Sequence, residues 1–122
     1  MNGKRIAIVG SRNYPDKEHM MKTAAVYCQH AAEIISGGAR GPDRWAEELA
    51  RVLRKPMKVL KPNWRKYGVS AGPRRNQQIV DACDVVIAFW DGESRGTADT
   101  IAKARAAGKP VFEFQPPRKG EL

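Results

Sequence analysis

The sequence has few of the residues that build metal centres or covalent cross-links. It contains two cysteines, Cys28 and Cys83, which form no CxxC pair, and its two histidines, His19 and His30, are isolated. Structural zinc sites need clustered Cys and His ligands, and disulfide frameworks need several cysteines. The sequence therefore predicts neither kind of site, and both thiols are expected to be buried and reduced.

Long hydrophobic runs are also absent. Apolar stretches such as Val85 to Trp90 are far shorter than the ~20 residues that a membrane-spanning helix needs. The apolar run near the amino terminus, Ile6 to Gly10, is too short for the core of a signal peptide. We therefore expect a cytoplasmic protein without a membrane partner.

Acidic residues are missing from one contiguous part of the chain. No Asp or Glu occurs between Glu48 and Asp81, and this interval holds nine basic residues. They are Arg51, Arg54, Lys55, Lys58, Lys61, Arg65, Lys66, Arg74 and Arg75. Because the other 13 basic residues balance the 13 acidic ones, the interval carries the whole net charge of +9. It suits a polyanion or a nucleotide phosphate, and a solvated basic face is the alternative.

Short apolar runs that alternate with helical patterns predict one α/β domain over residues 1–122. Five runs are typical of buried strands, and they cover residues 4–10, 33–36, 57–60, 84–90 and 110–114. Helical patterns run from Asp16 to about Ala32, from the GGARG turn at residues 37–41 to about Arg54, from Pro73 to Cys83, and from Gly96 or Thr97 to Ala107. Parallel strands need crossovers of about a dozen residues, which these helices supply. The pattern predicts a Rossmann-like fold with an open, mainly parallel five-stranded sheet and helices on both faces.

The stretch from Ile34 to Glu48 combines a strand, a glycine turn and a helix. Glycine lets a turn adopt positive φ and lets a ligand approach the backbone, and the free amides of the next helix point at the same place. This corner, which contains Gly37, Gly38, Ala39, Arg40, Gly41, Asp43 and Arg44, is typical of phosphate binding. A tight turn without a ligand is the alternative.

Two more polar turns follow predicted strands, and all three are expected at the carboxyl edge of the sheet, where such folds bind ligands. The first turn is Gly10, Ser11 and Arg12, and the last contains Ser94, Arg95, Gly96 and Thr97. A segment without a sustained period, residues 61–76, adds rings and guanidinium groups at Trp64, Arg65, Tyr67, Arg74 and Arg75. Long irregular segments are commonly functional. The tail PPRKGEL, residues 116–122, is expected to be a frayed end.

Three motifs together resemble the YspA-like, cpYpsA-related branch of the SLOG superfamily. They are GGARGPDR, YGVSAGPRRN and FWDGESRGT, and a closing AxxxGKPV follows. The resemblance covers nearly the whole chain and implies a Rossmann-like domain that binds or senses a nucleotide or nucleotide-derived ligand. The chain is similar, more distantly, to the Lonely Guy phosphoribohydrolases and to the DNA-processing protein DprA.

The resemblance also implies roles for particular residues. Gly37, Gly38, Gly41 and Asp43 would form the turn on the phosphate side, with Arg40 and Arg44 beside it; Arg75 and Asn76 would come from the SAGPxRN motif, and Ser94, Gly96 and Thr97 would form a second turn. At the position of the Lonely Guy glutamate stands Thr100. Glu47 or Glu48 could supply a carboxylate, although pairing with Arg44 or Arg51 is the alternative.

The sequence leaves three functions open, and it identifies no catalytic residue and no certain cofactor. The first is the binding or sensing of a nucleotide-type small molecule at the strand ends. The second is hydrolysis of an N-glycosidic or phosphoester bond in such a ligand. The third is single-stranded nucleic-acid binding through Trp64, Tyr67 and the basic stretch, because rings stack bases and cations follow phosphates. A homo-oligomer is expected, with an exposed ring at its interface.

Overall fold

A computed structural model describes residues 2–116 and contains a five-stranded sheet. The strands are β1 (Arg5–Gly10), β2 (Glu33–Ser36), β3 (Met57–Val59), β4 (Val85–Phe89) and β5 (Val111–Phe114). They lie in the order β3-β2-β1-β4-β5, and each neighbouring pair is parallel. The predicted Rossmann-like α/β fold is confirmed, with a sheet that is wholly parallel within the described residues.

Helices cover both faces of this sheet. They are α1 (Lys17–Cys28), α2 (Pro42–Leu53), α3 (Trp64–Tyr67), α4 (Ala71–Ala82) and α5 (Arg95–Ala106), with a 3-10 turn over Gly68–Ser70. Side chains alternate across a strand, so Ile6 and Ile8 of β1 pack against α1 and α2, whereas Ala7 and Val9 face α4 and α5. Both faces of the central strands are therefore buried, which explains their nearly continuous apolar sequence.

The first helix is shorter than its pattern suggests. It starts after Asp16, whose carboxylate accepts the His19 amide at 2.9 Å as the sequence predicts, but it ends at Cys28 instead of near Ala32. The Ala32 amide instead donates to the Lys4 carbonyl at 2.8 Å. The chain is thereby already aligned beside β1 before β2 begins.

The prediction of an irregular segment over residues 61–76 is wrong, because α3, the 3-10 turn and the start of α4 fill most of it. Local polar groups stabilise these short elements. Asn63 Oδ1 accepts the Lys66 amide at 3.1 Å, and the Ser70 hydroxyl donates to the Tyr67 carbonyl at 2.9 Å. Pro73 lies in the first turn of α4, where an amide has no acceptor within the helix, so its missing N–H costs nothing.

The structure also bears on the predictions about the two cysteines and membrane-spanning segments. Cys28 and Cys83 are free and buried, as expected. Burial raises the pKa of both thiols, that of Cys28 to about 12. Within residues 2–116 no helix combines the length and the apolar character needed to cross a bilayer. Residues 117–122 of the predicted frayed tail lie outside the described residues.

Candidate functional site

A cavity opens where the strand order reverses, at the carboxyl ends of β1 and β4. Its volume is about 460 Å³, within the range of small-ligand pockets. The lining residues are Val9, Gly10, Arg12, Asn13, Ala39, Asp43, Arg75, Asn76, Ile79, Asp91, Glu93, Ser94, Gly96, Thr97 and Thr100. The switch-point cavity, as we call it, therefore gathers residues from all three predicted turns and from α4. This is the position at which open α/β sheets bind ligands.

The glycine turn after β2 is occupied by a carboxylate from the chain itself. Asp43 is 5% exposed, and its Oδ2 accepts hydrogen bonds from the amides of Gly37 at 3.2 Å and Ala39 at 3.5 Å. An Asp in the first turn of α2 can reach back in this way because the turn folds over the start of the helix. The side chain of Asp43 thus takes the place of an anion on these amides, and binding of a ligand phosphate by this turn stays a prediction.

The buried carboxylate of Asp43 has an unusual protonation equilibrium. Burial raises its pKa to about 6, although the positive charge of Arg75 and the amides of Ala39, Gly10 and Gly37 act in the opposite direction. Desolvation of the charged form is therefore the larger effect. Asp43 is mostly ionised at neutral pH and becomes protonated just below it.

Several predicted site residues in the same turn lie outside the cavity lining. Gly38 has φ of 74° and faces β3, because a methyl group there would lie 2.9 Å from Val59 Cγ1. Gly41 packs against the loop after β1, and a methyl group on it would lie 2.9 Å from the Ser11 carbonyl oxygen. Arg40 and Arg44 are exposed. Gly38 and Gly41 thus shape the turn, and nothing places them against a ligand.

A hydrogen-bonded loop after β4 forms the opposite wall. Ser11 is buried, and its hydroxyl accepts the Asp91 amide at 3.0 Å, which joins the ends of β1 and β4. The Asp91 carboxylate accepts the amides of Glu93 and Ser94, each at 2.8 Å. These two bonds hold the pKa of Asp91 below its usual range. Ser11 is therefore a structural support below the cavity.

The amino end of α5 points its backbone toward the cavity. Ser94 caps the helix by accepting the Thr97 amide, and its hydroxyl lies 3.2 Å from that of Thr97. The amides of Arg95 and Gly96 donate to no acceptor within residues 2–116. A methyl group on Gly96 would meet nothing within 4 Å, so the approach is open. An anion at this helix end would meet free donors and the positive end of the dipole. The Arg95 side chain itself is exposed and lies outside the lining.

Arg75 of α4 is held below the rim of the cavity. Its Nη1 donates to the Gly37 carbonyl at 2.6 Å and to the Leu60 carbonyl at 3.4 Å, and its Nε donates to Asn76 Oδ1 at 3.0 Å. Burial lowers the pKa of Arg75, while Asp43 raises it. The guanidinium remains charged at any pH of interest.

The cavity is not uniformly basic. Arg12 and Arg75 contribute positive charge, and Asp43, Asp91 and Glu93 contribute carboxylates. A polyanion inside the cavity would meet three carboxylates and only two guanidinium groups. The lining better suits a ligand that also offers hydrogen-bond donors, such as a base or a sugar.

A second depression lies beside the first, and among residues 2–116 its charged lining residues are all basic. This basic groove has a volume of about 200 Å³ and is lined by Lys61, Asn63, Lys66, Tyr67, Ala71, Arg74, Arg75 and Gln78. Arg75 lines both depressions, so the two are adjacent. The absence of acidic residues between Glu48 and Asp81 in the sequence thus becomes a groove without a carboxylate in its lining.

Two aromatic residues of α3 differ in accessibility: Tyr67 lines the groove, and Trp64 lies outside its lining. Tyr67 has the guanidinium of Arg74 at 4.4 Å and the ammonium of Lys66 at 5.1 Å from its ring centre. These cations cover the Tyr67 ring. Trp64 is 55% exposed, and its Cη2 would lie 3.5 Å from a methyl group on Gly72. Trp64 thus lies beside the helix with its indole accessible, away from the switch-point cavity.

Sequence reasoning named only some of the lining residues. Asn13, Asp91 and Glu93 also line the cavity but are not among the predicted site residues, although their positions after strand ends are a signal that could find them. Thr100, at the position of the Lonely Guy glutamate, is 2% exposed and donates to the Gly96 carbonyl at 3.2 Å. Glu48 pairs with Lys17 at 2.7 Å instead of with Arg44 or Arg51. Residues 2–116 contain no cluster of potential ligands for a metal ion.

Comparison with a family model decides the relationship of the chain. The model of DNA recombination-mediator protein A matches residues 1–61, which is half of the 122 residues. The chain belongs to the DNA recombination-mediator protein A family. Another relative, the gene 61 protein of Mycobacterium phage D29, is 32% identical over 120 residues, which are 91% of this chain and 96% of that protein.

Solved structures of DprA proteins show the same fold as this DprA-family chain. The DprA proteins of Streptococcus pneumoniae and Helicobacter pylori both match with a TM-score of 0.74 and 22% identity over 98% of this chain. The chain spans 52% of the first structure and 68% of the second. Single-stranded DNA binding has been described for the H. pylori protein.

The family assignment refines the resemblance seen in the sequence. The SLOG superfamily includes DprA, so membership of that superfamily agrees with the comparisons. DprA, named above as a more distant relative, is the one that they support. Assignment to the YspA-like branch stays a prediction.

Proposed function

We propose that the protein binds single-stranded DNA along the basic groove. The observation that carries this proposal is the lining of the groove, which presents Lys61, Lys66, Arg74 and Arg75 without a carboxylate. Phosphate neutralisation by such side chains supplies most of the affinity of sequence-independent nucleic-acid binding. The relationship to DprA, and the single-stranded DNA binding of the H. pylori protein, support the same function.

An exposed Trp64 would increase the affinity for single-stranded DNA relative to duplex DNA. Its indole is 55% exposed on α3, the helix that also carries Lys66 and Tyr67 of the groove lining, and bases stack on such rings regardless of sequence. A duplex hides the faces of its bases inside the stack, so it can use only the cations. The combination of an accessible ring and a basic groove therefore favours single-stranded over double-stranded DNA.

Replacement of Trp64 by Ala should weaken binding to a labelled oligo-dT about tenfold, because stacking contributes about 1–3 kcal/mol per base. Fluorescence anisotropy measures the affinity, and a duplex of equal length is the comparison ligand. Val69→Ala is the matched control, since Val69 is also apolar, is 96% exposed in the 3-10 turn after α3, and has no ring on which a base could stack. If wild-type protein shows no preference for the single strand, or if Trp64→Ala binds as tightly as Val69→Ala, the proposed function is wrong.

A second candidate ligand is a free nucleotide in the switch-point cavity. The position of the cavity at the strand-order reversal and its volume of about 460 Å³ favour such a small ligand. The amides of Arg95 and Gly96 would bind a phosphate, and Asp91 or Glu93 would bond to the base or sugar. Calorimetry with mono-, di- and cyclic nucleotides and with ADP-ribose separates this candidate from DNA binding.

Two further predictions are unchanged by the structure. Hydrolysis of an N-glycosidic bond would release free base from a nucleotide monophosphate, which chromatography detects. A homo-oligomer would show its mass in light scattering.

A further inference from the structure

Asn76 occupies a buried position between α4 and α5 and has a single defined orientation. It is 6% exposed, and its Nδ2 donates to Asp99 Oδ2 at 3.0 Å and to the Gly96 carbonyl at 3.4 Å. Its Oδ1 accepts from Arg75 Nε at 3.0 Å. The partners at the two ends need opposite hydrogen-bonding character, so they fix which end of the amide is which.

Asp99 is itself held from the other side. Lys103 Nζ lies 2.5 Å from Asp99 Oδ2 and also donates to the Pro73 carbonyl at 3.1 Å. Burial raises the pKa of Asp99, but the bonds from Lys103 and Asn76 outweigh it and leave the pKa below its usual range. A chain of hydrogen bonds therefore runs from Lys103 through Asp99 and Asn76 to Arg75.

These hydrogen bonds determine which N–H groups of Arg75 remain free to bind a ligand. A guanidinium offers five N–H groups, of which Nε donates to Asn76 and Nη1 to the Gly37 and Leu60 carbonyls. The two N–H groups of Nη2 make no hydrogen bond within residues 2–116. They belong to a side chain that lines both the groove and the cavity.

We propose that Asn76, held by Asp99, is a positioning residue that fixes the Arg75 guanidinium so that Nη2 is free for a phosphate at the junction of the groove and the cavity. The inference rests on the proposed single-stranded DNA binding. A free arginine side chain loses rotamer freedom when it is ordered by a ligand, and this loss weakens binding. The hydrogen bonds from below impose that order before the DNA arrives.

A double-mutant cycle tests this role. Asn76→Ala should weaken binding of labelled oligo-dT about fivefold, because the ordering of Arg75 must then occur on binding. The same change in an Arg75→Ala protein should have no effect, because nothing remains to be positioned. An equal loss in both backgrounds would overturn the inference, since a structural defect would act without regard to Arg75.

Two more variants keep the test decisive. Asp99→Asn presents an amide to Asn76 and Lys103 and should repeat the Arg75-dependent loss, so it serves if Asn76→Ala fails to fold. Gln77→Ala is the matched control, because Gln77 is an exposed neighbour on α4 that bonds to Asp81 and not to Arg75. Its binding should equal that of the wild type.

The possible failures can be told apart. If wild-type protein does not bind oligo-dT, the proposed function fails. If the wild type binds but Arg75→Ala binds equally well, the positioning role is overturned while the groove remains.

Discussion

Replacement of Asp43 by Asn should remove about 2–3 kcal/mol of pH dependence from the free energy of unfolding between pH 4 and pH 7. The folded-state pKa of Asp43 is about 6, compared with an ordinary value of 3.8. Because the folded pKa is raised, the contribution of this group is fully present below pH 3.8 and is lost as the pH rises through about 6. A difference of about two pKa units corresponds to about 3 kcal/mol.

The measurement is urea unfolding of both proteins across this pH range. Most other carboxylates titrate equally in the two proteins, so the difference in their free energies of unfolding isolates Asp43. This difference should shift toward the Asn variant as the pH rises. Identical pH profiles would show that the carboxylate is not buried on the glycine turn.

Asp91→Asn is the matched control because its expected sign is opposite. The amides of Ser94 and Glu93 lower the pKa of Asp91, so its contribution is present above the unfolded pKa and is lost as the pH falls. The wild type should therefore gain stability over this variant on raising the pH. Two carboxylates that line one cavity would thus show opposite pH effects, each set by its own surroundings.

Gly41→Ala should destabilise the protein by about 3 kcal/mol. Gly41 has φ of 80° and ψ of −140°, a region that residues with a side chain rarely adopt and that costs about 1–3 kcal/mol. A methyl group would also lie 2.9 Å from the Ser11 carbonyl oxygen and 3.0 Å from that of Arg12. Backbone oxygens cannot rotate away, so the loop after β1 would have to move, and the Arg12 side chain at the cavity with it.

Gly108→Ala separates the two causes. Gly108 also has a positive φ, 73°, but a methyl group there would meet no atom within 4 Å. It should cost only about 1–2 kcal/mol, the strain of a left-handed residue. Equal losses for the two variants, measured by urea unfolding, would contradict the close contact between α2 and the loop after β1.

The fold was predictable because the relevant signals are local. Each strand is a short apolar run that stops at a polar or glycine-rich turn, and each helix between them carries its own periodicity. The order β3-β2-β1-β4-β5 was beyond the sequence, because a strand buried on both faces has the same pattern whoever its neighbours are. The sequence also did not predict α3 and the start of α4. The Gly-Pro pair at residues 72 and 73 suggested a loop, whereas Pro73 fits in the first turn of α4.

The site was less predictable because it depends on side chains that reach across the chain. The glycine turn looked ready for a phosphate, and only the structure shows the Asp43 carboxylate on its amides. Asn76 was named for a motif, whereas its bonds to Asp99 and Arg75 join residues on two helices. By contrast, the excess of basic residues between Glu48 and Asp81 needed no three-dimensional information, although only the structure shows that Lys61, Lys66, Arg74 and Arg75 of this stretch line one groove.

The dependence of oligo-dT affinity on salt tests the groove most directly. Two double variants each remove two positive charges. The groove variant combines Lys66→Gln with Arg74→Gln, and the control variant combines Lys4→Gln with Arg51→Gln at the amino ends of the strands. Lys4 precedes β1 and Arg51 lies in the last turn of α2, so both exposed side chains sit at the amino ends of the strands. The groove variant should bind more weakly, and its slope of log affinity against log salt should be shallower by about 1.4, since each lost contact to a single strand contributes about 0.7. The control variant should keep the wild-type slope, and an equal change in both variants would contradict binding in the groove.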